Sequence, residues 1–179
     1  MKVNLCCGMD YREGYLNVDN SSLGSDLTKI KVDLFHDIVG GLPWEDNSVD
    51  EIVFREALEH FNRHNGLFIL QEIYRVLKPS GLLDLTVPPA ERQLKMLVSK
   101  LNADPPIEDF FKAHTTFQYW KWVDDLFGAT HRTWVDGKNL GDPDSHKCIY
   151  TKKTLSTILK YVGFNLESID DNIWVKATK

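Results

Sequence analysis

Gly8 and Asp19 each stand at the end of a short apolar run, Val3-Asn4-Leu5-Cys6-Cys7-Gly8 and Tyr15-Leu16-Asn17-Val18-Asp19. In a parallel α/β sheet, a glycine at one strand tip lets a ligand approach bare main chain. A carboxylate at the next tip can accept two hydrogen bonds from a ribose diol. The pair therefore points to a nucleoside-like ligand, against the plainer reading of Asp19 as a polar strand-end residue in a turn. Asp37 closes a third apolar run, Ile30 to His36, and is either the N-cap of a short turn or a further ligand contact.

Other reactive side chains carry weaker patterns. Cys6 and Cys7 are adjacent, and no C-x-x-C spacing occurs; neighbouring cysteines rarely both ligate one ion, so packing is their expected role and no metal is expected. Glu59-His60 is either an acid–base pair near a substrate or a solvated helix turn. A nicotinamide site fits poorly. Gly8-Met9-Asp10-Tyr11 lacks the G-x-G-x-x-G series, and the acidic residue follows after about 11 positions rather than about 20.

The elements that must position these residues alternate between short strands and helices. Lys2–Cys6 and Tyr15–Asp19 read as buried strands, yet only Met9 to Gly14 lie between Gly8 and Tyr15, too few for the usual helical crossover. An extended chain from Cys6 to Tyr15 covers roughly 30 Å, against about 17 Å needed to run back along a five-residue strand. A parallel pair joined by a bare loop is thus feasible, with a hairpin as its rival. Val49–Phe54 reads as a fourth strand, and a helical segment begins at Glu56–Phe61. Leu67, Leu70, Ile73, Tyr74 and Leu77 mark an amphipathic helix that Lys78-Pro79-Ser80-Gly81 stops before a fifth strand, Leu82–Val87. Residues 90 to 147 then break the alternation with a helix near Glu91–Leu101 and an aromatic stretch, Phe110 to Phe127, expected to cap the strand tips. A helix from Thr151 to Val162, stopped by Gly163, and strands near Leu166–Ile169 and Ile173–Ala177 complete the pattern.

At 179 residues, 42% hydrophobic and 26% charged, the chain suits one globular domain, residues 1–179, with a full core. A net charge of −5 and pI near 5.7 give no general basic field, so nucleic acid is not an expected partner. Three cysteines cannot pair evenly, which suits a reducing, cytoplasmic location. There is no basic and apolar leader and no apolar stretch long enough to cross a bilayer, so neither export nor a membrane is expected.

The stretches VNLCCG, YLNVD, LPWEDNSVDEIVFREALEHF, LQEIYRVLKPSGLLDLTVP and HKCIYTKKTLSTILKYVGF occur in one order over about three quarters of the chain. In these the chain resembles the class I S-adenosylmethionine-dependent methyltransferases, in particular small type 11-like methyltransferase-domain proteins. The resemblance implies an α/β, Rossmann-like fold: a seven-stranded, mostly parallel sheet with an antiparallel last strand. The connection between strands 1 and 2 is shortened, and the cap follows strand 5. It implies S-adenosyl-L-methionine as cofactor, with the Cys6-Cys7-Gly8 backbone flanking the methionine moiety, Asp19 on the ribose, Asp37 and Ile38 facing the adenine, and Arg55 and Glu56 near the sulfonium. The chain departs from the family in Asn4, where an acid is common, and in Cys6, where glycine is common. The missing first helix leaves loop amides, Arg12 or Arg55 to meet the cofactor carboxylate.

The expected activity is methyl transfer to an unidentified acceptor, a small molecule. His146 and then His131 are the candidate general bases, ahead of His114, for an acceptor with a proton to lose. The alternative is a protein that binds S-adenosylmethionine or S-adenosylhomocysteine without transferase activity.

Overall fold

Strand alternation sorts the apolar and polar side chains onto two faces of one sheet. The computed structural model describes residues 1–20, 31–101, 134–135, 138–139 and 146–179. Strands β1 (Lys2–Leu5), β2 (Leu16–Asp19), β3 (Leu34–Phe35), β4 (Val49–Arg55) and β5 (Leu77–Thr86) precede a small antiparallel pair, β6 (Trp134–Val135) and β7 (Lys138–Asn139). Strands β8 (Asn165–Ile169) and β9 (Trp174–Thr178) follow. The seven-stranded sheet has the order β3-β2-β1-β4-β5-β9-β8. Pairing is parallel from β3 through β5, whereas β9 runs antiparallel to both β5 and β8. The expected sheet, with its reversed last strand, is therefore present.

The first connection is a parallel pair without a helix, not a hairpin: Val3 lies opposite Leu16, Asn4 opposite Asn17 and Leu5 opposite Val18. Two buried asparagines make this possible. The Asn4 amide donates to the Asp10 carbonyl (2.6 Å) and to Asn17 Oδ1 (3.0 Å), and Asn17 Oδ1 also accepts from the Arg12 N–H (2.8 Å). Asn17 Nδ2 reaches the carbonyls of Arg12 and Tyr15 at 3.0 Å each and the Asp33 carboxylate at 2.9 Å. The loop is thus folded onto the sheet by side-chain amides, each of which supplies both donor and acceptor.

The expected third strand shortens to Leu34–Phe35, and residues 21–30 lie outside those described. Its ladder nonetheless continues beyond those two residues, from the Asp33 N–H to Asn17 O and from the His36 N–H to Asp19 O. Helix α1 (Arg63–Val76) is capped by Asn62, whose side chain accepts from the Asn65 N–H at 2.9 Å. It buries Gly66, Ile69, Leu70, Ile73 and Val76, so the inward stripe is rotated from the expected one. Leu67 is only half-buried and Leu77 already belongs to β5. The strand begins before the Lys78–Gly81 turn, which bulges out: Val49 pairs with Leu77 and Glu51 with Leu82. The segment expected to begin helically at Glu56 is a bend, with Glu56 at φ 47°, followed by one 3₁₀ turn, Leu58–His60.

Helix α2 spans Ala90–Leu101, and the remaining expected cap through residue 133, including the aromatic stretch from Phe110 to Phe127, lies outside the described residues. Helix α3 (Lys152–Val162) starts with a capping box in which Thr151 and Thr154 exchange side-chain and backbone hydrogen bonds. It ends at Gly163, whose φ of 117° is the left-handed conformation that a side chain disfavours. The core lies between this helical layer and one sheet face, with Val3, Leu5, Ile52, Phe54, Leu83 and Leu85 fully enclosed against residues of α1 and α3. Among the described residues no helix is long and apolar enough to cross a membrane.

Candidate active site at the strand tips

Because β1, β2, β3, β4 and β5 are parallel, their C-terminal ends share one edge, and that edge gathers the sequence candidates. The chain turns sharply after Leu5: Cys6 has φ 51° and Gly8 has φ 48°. Gly8 and Asp19 meet directly, for the Gly8 N–H donates to Asp19 Oδ2 at 2.7 Å. The Asn20 N–H donates to Asp19 Oδ1, also at 2.7 Å. These two amides fix the carboxylate and leave each oxygen a lone pair for a diol. Among the described residues, a Cβ built on Gly8 would meet nothing within 4 Å. Bare main chain with a fixed carboxylate beside it is an arrangement that can accept a diol.

Cys6 is half-buried and Cys7 buried, both as free thiols. Burial, then the nearby Asp19 carboxylate, holds the Cys6 thiol far above its ordinary range and pushes Cys7 up to about 11. The negative charges of Glu59 and Asp37 also bear on Cys6, which sets Cys6 among the acidic tips. Asp37 accepts from the Val39 N–H at 3.0 Å and caps the 3₁₀ turn Ile38–Gly40, the local role weighed against ligand contact. Ile38 is 4% exposed and belongs to the core; toward an adenine it offers main chain rather than side chain.

Arg55 ends β4 and forks onto Asp84 of β5, Nε to Oδ1 at 3.1 Å and Nη2 to Oδ2 at 2.7 Å. Its guanidinium lies 4.4 Å from the ring centre of Trp174, whose indole N–H donates to the same Asp84 at 2.7 Å. Arg12 is likewise paired, with Asp10 at 2.6 Å. Both arginines considered for the cofactor carboxylate therefore already face an acid. Glu56 is exposed with φ 47°, and its N–H donates to Thr86 O at 3.0 Å, joining the tips of β4 and β5.

Beyond Glu56, the 3₁₀ turn places Glu59 inward, only 2% exposed, rather than in a solvated turn. Burial pushes its carboxyl up to about 8, a backbone hydrogen bond opposes the shift, and the charge of Glu56 adds to it. His146 comes to the same place from the far end of the chain. The N–H groups of Lys147 and Cys148 both donate to Glu59 O, at 2.7 and 3.1 Å, and Lys147 Nζ donates to His60 O at 2.9 Å. The rings of His60 and His146 then meet edge to face, centres 5.0 Å apart. His131 and His114 lie outside the described residues.

The structure thus brings Cys6, Cys7, Gly8 and Asp19 together, with Asp37, Ile38, Arg55 and Glu56 at adjoining tips. Sequence reasoning missed Asp84 and Trp174 as partners of Arg55, and Asn17 as the anchor of the loop. A polar residue in the middle of each apolar run was the available signal.

A methyltransferase-domain family profile, of type 11, matches residues 2–85. No curated protein matches. Among solved structures, a SAM-dependent methyltransferase from Methanosarcina mazei is 17% identical with a TM-score of 0.60, covering 99% of this chain and 91% of that one. A SAM-dependent methyltransferase from Archaeoglobus fulgidus is 18% identical with a TM-score of 0.55, covering 94% of this chain but 64% of that one. One from Thermotoga maritima, titled a possible histamine N-methyltransferase, is 13% identical with a TM-score of 0.57, covering 99% and 81%. At such identities the likeness is one of fold, and this chain spans under two thirds of some of these proteins. The sheet order and the reversed last strand are thus the fold of these S-adenosylmethionine-dependent methyltransferases, and the first half of the chain matches the methyltransferase-domain profile.

Proposed function

We propose that this chain transfers a methyl group from S-adenosylmethionine to a small-molecule acceptor in a reducing, cytoplasmic setting. The observation that carries the reading is the contact between Gly8 and Asp19 across two adjacent parallel tips. Asp19 would hold the ribose hydroxyls, the Cys6–Gly8 main chain the methionine side, and Asp37 with Ile38 the adenine side. Arg55 and Glu56 would border the methyl. The cofactor supplies a methyl on a cationic sulfur, already activated for displacement, so the chain's main task is alignment. Fixing two reactants in line is worth effective molarities of ~10⁵ M or more. An acceptor hydroxyl or amine must also lose a proton, and His146 or His131 is the proposed base for it.

Calorimetry with S-adenosylhomocysteine tests the site. Asp19→Ala removes two charge-assisted hydrogen bonds to the diol and should weaken binding by about 3 kcal/mol, roughly a hundredfold. An unchanged affinity would refute the assignment of this carboxylate. A second reading, binding without transfer, is favoured by the commitment of Arg12 and Arg55 to acidic partners. Tight cofactor binding with no methyl-donor consumption across hydroxyl, amine, thiol and carboxylate acceptors would support that reading instead.

A further inference from the structure

We propose that Glu59, His60 and His146 form a binding site for a first-row divalent cation of the zinc, iron or manganese type, set beside the strand tips. One ligand atom from each side chain lies within 4.8 Å of the others. Two imidazoles and one carboxylate make a donor set used both by catalytic zinc and by non-haem iron centres, and it leaves coordination positions open.

A second, independent observation points the same way. Glu59 is only 2% exposed, and its Oε2 has no hydrogen-bond partner among the described residues, while Oε1 lies 3.8 Å from His60 Nε2. A buried carboxylate oxygen left in this state is costly, and a cation is one of the few groups that can satisfy it. Bond lengths of about 2.0–2.2 Å put tetrahedral ligand atoms about 3.5 Å apart, so binding draws the three inward by about an ångström. The half-buried rings of His60 and His146 can turn that far. The backbone is already clamped, because Lys147 and Cys148 both donate to the Glu59 carbonyl.

The site's place gives it a use. It follows the β4 tip, one 3₁₀ turn beyond Arg55 and Glu56, so a cation here adjoins the proposed methyl position. An acceptor oxygen bound to the cation would ionise near neutral pH. His146 would then serve as a ligand, and the proton would leave from the metal-bound acceptor to water. This use rests on the methyltransferase reading, but the cation site itself does not.

The test is titration of the tag-free full chain with Co²⁺, Zn²⁺ and Mn²⁺, by calorimetry and by the visible absorption of Co²⁺. The expected result is one cation per chain. Glu59→Gln, nearly isosteric, and His146→Ala, at the edge of a loop, should each weaken it at least tenfold with little change in Tm. No stoichiometric binding, or equal affinity in both variants, overturns the site. S-adenosylhomocysteine binding to the metal-free protein is measured in parallel. If it persists while cation binding fails, only the cation site falls; if it fails while cation binding persists, the methyltransferase reading falls alone.

Discussion

At the scale of single residues, Asp19 does two things at once. Its oxygens accept from the Gly8 and Asn20 amides, so it shapes the loop around Gly8 before any ligand arrives. Asp19→Asn separates those roles, because a carboxamide turned toward both amides must set its NH₂ against one of them. S-adenosylhomocysteine affinity should fall roughly ten- to a hundredfold, with a loss of stability of about 1 kcal/mol from the mismatched amide. Equal affinity for Asp and Asn would mean that the loop, not the charge, defines the site. The neighbouring thiols give a pH-dependent check. Only a thiolate alkylates readily, and with its thiol held up to about 11, Cys7 is ionised to about one part in a thousand at pH 8. Cys6 is held higher still by burial and by Asp19. Peptide mapping after iodoacetamide treatment of the folded protein should find both sites nearly unmodified at pH 8, with Cys7 becoming reactive as the pH approaches 11. Rapid labelling of either at pH 8 would contradict the burial and the acidic surroundings.

At the scale of elements, the loop between β1 and β2 replaces a whole helix with two side chains. Asn4 is 3% exposed and Asn17 fully buried, and together they bind the loop through Asp10, Arg12 and Tyr15. An acid in place of Asn4 should therefore harm this chain. Asn4→Asp removes the donor to Asp10 O and sets a buried carboxylate against Asn17 Oδ1; Asn17 cannot flip to answer it without losing its other partners. The expected cost is about 3 kcal/mol, a fall in Tm of roughly 6–12 °C for a chain of this size. A Tm within a degree of the parent would show that the loop is held some other way. Helix α3 depends on its start: Thr151→Ala breaks the box with Thr154 and should cost about 1 kcal/mol by denaturant titration. These elements differ in how visible they were. Helix α3 could be read because its cap, apolar stripe and terminal glycine are all local in sequence. The parallel loop could be read only as feasible, since the hydrogen bonds that choose it join side chains on different strands.

At the scale of the whole molecule, the sheet has one apolar face under α1 and α3 and a second face that is polar where the first helix is missing. A parallel sheet is usually helix-covered on both sides, so its strands read as continuous apolar runs. Here Asn4, Asn17, Glu51 and Asp84 interrupt those runs at alternate positions, which marks the face turned away from α1 and α3. The Glu59, His60 and His146 grouping left no such trace, because backbone bonds from Lys147 and Cys148 to Glu59 bring distant segments together without any local spacing. On the polar face, Arg55, Asp84 and Trp174 link β4, β5 and β9, and so fasten the parallel half of the sheet to its reversed strand. If this linkage is what fastens β9, then its members must act as a unit. Arg55→Gln and Asp84→Asn should each cost about 1–2 kcal/mol, discounted because Arg55 keeps 27% of its side chain exposed. The double variant should cost little more than either single, giving a coupling of about 1 kcal/mol or more in a double-mutant cycle. Hydrogen exchange of β9 amides should quicken in all three, since β9 loses the Asp84 bond to Trp174 or the guanidinium stacked on that ring. Additive costs, with β9 exchange unchanged, would mean that the ladder alone holds the reversed strand and that the polar face is merely tolerated.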